Sequence, residues 1–243
     1  MLHAFVQLTN MIEFGHGTHV GLRRTRNEDT YYADAASGLF LVADGMGGHQ
    51  HGEVAAALVR DAMVDLVTQG GDLVQAVQGA AEQLLACARH GTDVLPMGTT
   101  IAALRLIPGA YEAAWVGDSR IYLWQKTLQR VSHDQALVRA LVEAGKLGPE
   151  LAMQHPQRNV LTQALGVTAS AELRIGMARG QLTPGMSFLL CSDGLTEGVS
   201  DASIAHIVER NELAPQECVD QLLLSALDSG GDDNVTALLV RST

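Results

Sequence analysis

Two kinds of apolar pattern alternate along this chain. One is the short continuous run, four to seven residues long, which suits a strand buried on both faces. The other is a longer stretch in which apolar residues recur every three or four positions, which suits an amphipathic helix. Runs of the first kind cover residues 39–43, 101–106, 111–116, 120–124, 186–191 and 235–240. Patterns of the second kind cover 53–69, where Val54, Leu58, Ala62 and Leu66 form the expected apolar face, and 73–89, with Leu73, Val77, Ala81, Leu84 and Leu85. Gly70-Gly71 stops the first helix and Asp72 is an N-cap for the second. Residues 1–14 are weakly patterned, at most a first strand, and 91–97 read as a loop.

Punctuation places the remaining elements. Pro108-Gly109 turns strand 101–106 into 111–116, and Gly117-Asp118-Ser119 is expected to turn that strand back into 120–124, a hairpin with an acid at its tip. Ser132-His133-Asp134-Gln135 resembles a capping box and predicts a helix from there to about Ala144, stopped by Gly145. Ser200 caps a helix to about Arg210, and Pro215 starts another that Gly230-Gly231 ends. Residues 148–166 hold scattered Pro, His and Asn and predict an irregular excursion, of the kind that serves as a lid or binding loop. Strands in pairs separated by helices in pairs predict an α+β fold in which sheets are covered by helices.

Composition narrows the class. The chain has 243 residues, 47% hydrophobic and 18% charged, and no linker or composition shift, which predicts one globular domain spanning 1–243. A net charge of -11 disfavours nucleic acid and anionic membrane as partners. Three dispersed cysteines, Cys87, Cys191 and Cys218, fit a reducing compartment better than a disulfide framework. No leader pattern and no membrane-length apolar run are present, so the expected location is the cytoplasm.

The candidate chemistry lies where the apolar runs stop. The run 39–43 ends at Asp44, followed by Gly45, Gly47 and Gly48, and an acid recurs beside a strand-like run at Asp118, Asp193 and Asp233. Each alone reads as an ordinary turn residue. Together they suggest a shared pocket, and carboxylates crowded without cations repel each other strongly. An oxygen-only donor set selects Mg²⁺, Mn²⁺ or Ca²⁺ over Zn²⁺. Two such ions bridged by a carboxylate, with a shared water acidified to hydroxide, form the arrangement used in phosphoester chemistry. Arg23, Arg24 and Arg26 precede Glu28 and Asp29. They are either a solvated charged loop or the source of a guanidinium for phosphoryl oxygens.

These stretches, in order, carry a resemblance. Arg24 to Asp29, Asp44-Gly45-Met46-Gly47-Gly48-His49, Gly98-Thr99-Thr100, Gly117-Asp118-Ser119-Arg120, Ser192-Asp193-Gly194-Leu195 and Asp233-Asn234-Val235-Thr236 are similar to the motif set of the metal-dependent protein phosphatases, the PPM or protein phosphatase 2C-like family. Asp44 to His49 and 156–162 resemble its bacterial branch most, and the likeness runs from Gly21 to Val240. It implies a four-layer α-β-β-α sandwich with two central antiparallel sheets, and hydrolysis of phosphoserine and phosphothreonine on proteins by a dinuclear Mn²⁺ or Mg²⁺ centre whose bridging hydroxide is the nucleophile. It implies that Asp44 bridges both ions, that Asp193 and Asp233 complete the shell of the first ion, and that the Gly45 carbonyl ligates the second. Glu28 and Asp29 would act largely through waters, Thr99 and Asn234 as supports, and Asp118 with Asp193 on a weaker third ion. Arg24 would hold the substrate phosphate, and a flap at about 145–165 would stand beside the site.

There are departures from the family pattern. Met46 stands where eukaryotic members carry a histidine in the general-acid role, and nearby His49 reads best as a solvated loop residue. Asp233 is chosen over Asp232 because it precedes Asn234 directly. His133-Asp134-Gln135 differs from the usual bacterial Asp-His-Ser. Phosphoprotein substrates, a companion serine/threonine kinase and a monomeric state are the expected context. The competing functions are a binding module that keeps the fold without turnover, which the full carboxylate set disfavours, and a two-metal hydrolase of small phosphoesters.

Overall fold

The computed structural model describes residues 12–47, 51–90, 97–152 and 154–243. His49, residues 1–11 and most of the 91–97 segment lie outside the described residues. Eleven strands among the described residues form two antiparallel sheets. The first sheet has the order β1 (Ile12–His19), β11 (Val235–Ser242), β10 (Ser187–Cys191), β7 (Arg120–Trp124) and β8 (Leu128–Arg130). The second has β2 (Asp29–Asp34), β3 (Leu39–Met46), β5 (Ile101–Ile107), β6 (Ala110–Val116) and β9 (Gly176–Gln181), with the two-residue β4 (Gly98–Thr99) pairing with the end of β3.

Three apolar layers hold the sheets and helices together, and β3 shows why its run is continuous. Leu39, Leu41 and Ala43 pack under helices α1 (His51–Thr68) and α2 (Leu73–His90). Phe40 and Val42, on the other face, pack between the sheets against Phe188, Leu190, Leu238 and Val240. Successive strand residues point to opposite faces, and here both faces are covered, so no polar alternation survives. A third layer joins the outer face of the first sheet, through Leu189, Cys191, Ala237 and Leu239, to α5 (Asp193–Gly198), α6 (Asp201–Val208) and α7 (Pro215–Asp228). The result is the expected helix–sheet–sheet–helix sandwich.

The expected caps that depend on neighbouring residues form. The Gln75 amide donates to Asp72 Oδ1 (2.8 Å) and the Ser203 amide to Ser200 Oγ (3.2 Å). Three local expectations are corrected. The buried stripe of α1 is Ala55, Ala56, Val59, Ala62, Met63 and Val67, while Val54 is 47% exposed. A strict fourfold spacing drifts around a helix of 3.6 residues per turn, and small alanines let the helix lie close to the sheet. Strands β6 and β7 are not a hairpin. They belong to different sheets, and the 117–119 turn carries the chain between the layers. The capping box at Ser132 does not form: Ser132 Oγ accepts from the Ile121 amide (2.9 Å), Asp134 binds Arg120, and α3 (Leu137–Glu143) starts after Ala136. The flap then continues through the short α4 (Pro149–Ala152).

Candidate active site

The sheets place their acids at one end of the sandwich. Asp44 lies near the end of β3, and cross-strand register sets Asp29 of β2 directly opposite it. Two threonines hold the Asp44 backbone. Thr99 Oγ1 donates to the Asp44 carbonyl (2.8 Å), and Thr100 Oγ1 accepts from the Asp44 amide (3.0 Å). Beyond Asp44, the strand passes within contact of the first turn of α1. A Cβ on Gly45 would stand 2.1 Å from the Gly52 carbonyl oxygen, so only glycine permits that approach.

Asp193 opens α5 straight after β10, and Asp233 stands just before the start of β11, with Asn234 between, so neighbouring strands deliver both. Asp118 arrives on the turn between the sheets. Asp44, Asp118, Asp193 and Asp233 line one cleft of about 660 Å³, with Arg24, Glu28 and Gly45 also on its wall. Asn159 and residues 161–164 of the flap exit also line it. Asn234 staples the arginine-bearing loop: its Nδ2 donates to the carbonyls of Val20 (2.9 Å) and Arg26 (2.8 Å), and its Oδ1 accepts from the Glu28 amide (2.7 Å). Arg24 reaches Asp233 with Nη2 to Oδ2 at 2.8 Å. Asp232, by contrast, faces water beside Arg23 at 3.6 Å.

Four supporting hydroxyls were not anticipated from sequence. Ser192 Oγ (2.8 Å) and Thr236 Oγ1 (2.7 Å) both donate to Asp29 Oδ2, and Thr100 Oγ1 shares a hydrogen with Ser119 Oγ at 2.7 Å. The usable signal is a hydroxyl inside an otherwise apolar run, as Thr236 is in 235–240, a position the structure buries fully.

Electrostatically the site is under load. Burial first, then the Asp29 and Asp193 charges, hold the Asp44 carboxyl well above the usual carboxylate range. Burial and then Asp118 do the same for Asp193. Asp118 is pushed up to about 6 by burial and then Asp134, and Asp29 to about 6 by burial, against the lowering effect of its hydroxyl donors. The other oxygen of Asp29, Oδ1, is buried without a hydrogen-bond partner among the described residues. A cluster of raised carboxyls with an orphan oxygen fits a site that receives cations. Among the described residues no three Asp, Glu, His or Cys side chains converge closely enough to hold a metal ion by themselves. An open cleft suits hard ions that keep several waters, as Mg²⁺ does.

Comparison with known proteins agrees with this architecture. Residues 17–228 match the family model described as protein phosphatase 2C. The chain is 35% identical over 240 residues to the serine/threonine protein phosphatase PstP of Mycobacterium tuberculosis, covering 96% of this chain and 45% of that protein, so it spans about half of that relative's length. It is 33% identical over 242 residues to the serine/threonine phosphatase stp of Listeria welshimeri, covering 91% of this chain and 95% of that relative. The crystal structure of the Mycobacterium tuberculosis phosphatase PstP/Ppp superposes with a TM-score of 0.87 at 34% identity, covering 96% of this chain and 99% of that one. A PstP catalytic domain in complex with two manganese ions gives 0.84 at 33% identity, covering 95% and 98%. With a family match over most of its length and the same fold, the chain belongs to the protein phosphatase 2C family.

Proposed function

We infer that this protein is a serine/threonine protein phosphatase that hydrolyses phosphoserine and phosphothreonine in proteins with a Mn²⁺ or Mg²⁺ centre. The observation that carries this is the meeting of Asp44, Asp118, Asp193 and Asp233 in one cleft with Arg24 at its wall. Asp44, Asp193, Asp233 and the Gly45 carbonyl would hold two ions, with Glu28 and Asp29 behind them and Asp118 toward a weaker third. When bound, such ions polarise phosphoryl oxygen and lower the pKa of water toward neutrality. The chain's own part is positioning. Thr99 and Thr100 fix the backbone of Asp44, Ser192 and Thr236 fix Asp29, and Asn234 fixes the loop that carries Arg24. A phosphoprotein substrate requires a kinase to make it, so a serine/threonine kinase is the companion activity. No described helix is long and apolar enough to cross a membrane.

The test is phosphate release from a phosphothreonine peptide. Turnover is expected with added Mn²⁺ or Mg²⁺ and is expected to vanish in excess EDTA; full turnover by metal-stripped protein in chelator would sink the reading. A phosphopeptide-binding module without turnover would bind the peptide and release no phosphate. A small-phosphoester hydrolase would prefer p-nitrophenyl phosphate over the peptide in kcat/KM.

Arg24 has a narrower test. Its guanidinium already pairs with Asp233, whose charge raises its pKa further. In the reaction it would grip phosphoryl oxygens. A charge-assisted hydrogen bond is worth about 1.5–3 kcal/mol, so Arg24→Ala should lower kcat/KM on the phosphopeptide by about tenfold or more. Arg23→Ala is the control, since Arg23 lies in water beside Asp232. Equal kinetics for both variants would return Arg24 to an ordinary surface charge.

A further inference from the structure

Asp118 sits in a turn of only three residues between two sheets, and two sets of hydrogen bonds grip that turn from opposite sides. Toward the centre of the cleft, Ser119 Oγ meets Thr100 Oγ1, which also receives the Asp44 amide. Toward the flap, the partner is Gln135. The Gly117 amide donates to Gln135 Oε1 (2.8 Å), and the Gln135 amide donates back to the Gly117 carbonyl (2.9 Å). Gly117 has φ +98°, a conformation that favours glycine, so this reciprocal pair holds a backbone shape that most residues would resist.

Gln135 does not stop at the turn. Its carbonyl accepts from both the Thr162 amide (2.7 Å) and Thr162 Oγ1 (2.9 Å), and its Nε2 donates to the Arg174 carbonyl (2.8 Å). The next residues continue the seam, with Ala136 bridged to Leu161 and the Leu137 amide donating to the Val160 carbonyl (2.8 Å). Its neighbour Asp134 forks onto Arg120 at 3.0 and 2.8 Å. Residues 134 and 135 therefore bracket Asp118 and Ser119 from Gly117 to Arg120. Every polar atom of Gln135 is bonded to a segment other than its own, and two of those segments are the Asp118 turn and the cleft-lining flap exit. A glutamine that only capped the following helix would bond to that helix, yet α3 begins at Leu137 with no side-chain cap.

We propose that the Gln135 side chain is a positioning group that fixes the Asp118 turn on the segment whose main chain holds the flap exit, so that the placement of Asp118 in the cleft follows the position of residues 160–162. The proposal rests on the reading that Asp118 serves the reaction, and the test separates the two. Gln135→Met keeps the length of the side chain and removes the acceptor of the Gly117 amide and the donor to Arg174, while the main-chain bonds to Gly117 and Thr162 stay. Gln135→Asn keeps the amide but is one methylene shorter, so it loses reach while remaining polar, and it serves if the methionine variant does not fold.

The first readout needs no metal and no turnover. Amide hydrogen exchange at Gly117 in the metal-free chain should accelerate about tenfold or more in either variant, with Leu104 in β5 unchanged. The second is steady-state kinetics at saturating Mn²⁺, where kcat on a phosphothreonine peptide should fall about tenfold with KM within about twofold. The third is the double variant. Added to Asp118→Ala, Gln135→Met should cost less than about a further twofold, because both changes act through one group. Wild-type exchange at Gly117, an unchanged kcat, or losses that multiply in the double variant would each overturn the proposal. If Asp118→Ala alone leaves kcat unchanged while Gln135→Met lowers it, Gln135 acts by another route and the proposal fails. Rapid Gly117 exchange in that case would still show the clamp itself, and the fault would lie with the role given to Asp118.

Discussion

Asp44→Asn should lower kcat/KM on a phosphothreonine peptide by about three orders of magnitude, about 4 kcal/mol of transition-state stabilisation, without unfolding the protein. Function and stability should move apart because of where the residue stands. Its backbone is held by Thr99 and Thr100, and neither contact involves the carboxylate. Its carboxyl is buried among Asp29, Asp193, Asp118 and Asp233, all of which oppose its ionisation. The amide is isosteric and removes a source of repulsion, so the metal-free variant should melt at the wild-type temperature or above. What it loses is anionic charge toward two cations. Calorimetric Mn²⁺ titration should therefore show weakened tight binding, alongside the kinetic loss and an unchanged or higher Tm. Wild-type turnover would remove Asp44 from the site. Asp193→Asn and Asp233→Asn should follow the same pattern. Asp233→Asn should in addition weaken the hold on Arg24, which pairs with Asp233 Oδ2 at 2.8 Å.

Gly45→Ala should reduce activity by about a hundredfold or more and also destabilise the fold, by about 1–3 kcal/mol as an overpacked contact. The added methyl would stand 2.1 Å from the Gly52 oxygen, 2.4 Å from the Gly52 carbonyl carbon and 2.7 Å from the Glu28 oxygen. All three are backbone atoms, so no rotamer change relieves the clash. The strand end must separate from the first turn of α1, or from residue 28, whose carbonyl accepts the Gly45 amide at 3.1 Å. Either movement displaces Asp44 and the carbonyl proposed to ligate the second ion. Gly79→Ala is the control, because its methyl would meet the end of the Leu66 side chain at 2.8 Å and alanine favours a helix. Denaturant midpoints and phosphopeptide kinetics measured on both variants check the prediction. A Gly45→Ala enzyme as active and stable as Gly79→Ala would show that the close approach has slack.

The elements that depend on near neighbours were legible in the chain. Strands β3, β5, β10 and β11 are buried on both faces, and burial of that kind writes an unbroken apolar run. Helix ends at Asp72, Ser200 and Pro215 rest on bonds or backbone limits within three or four residues. The four aspartates that line the cleft were legible for a related reason: each stands beside a run that is buried. The half-buried strands were not. β9 alternates between half-exposed and exposed positions, and β2 has only Asp29 fully buried, so neither shows an apolar run.

Strand partnership was beyond local reading. A short turn such as 117–119 looks the same whether the chain folds back beside itself or crosses to another sheet, and only packing against the second layer selects the crossing. The same holds for Ser132 and Asp134, whose side chains could cap a helix but find Ile121 and Arg120 instead. The site is the extreme case. Arg24 and Asp233 touch across 209 positions of sequence, and Asp29 meets Thr236 across 207. A sequence can mark such residues by type. Which of them meet is decided when β11 inserts between β1 and β10, because that pairing brings the two ends of the chain into one sheet.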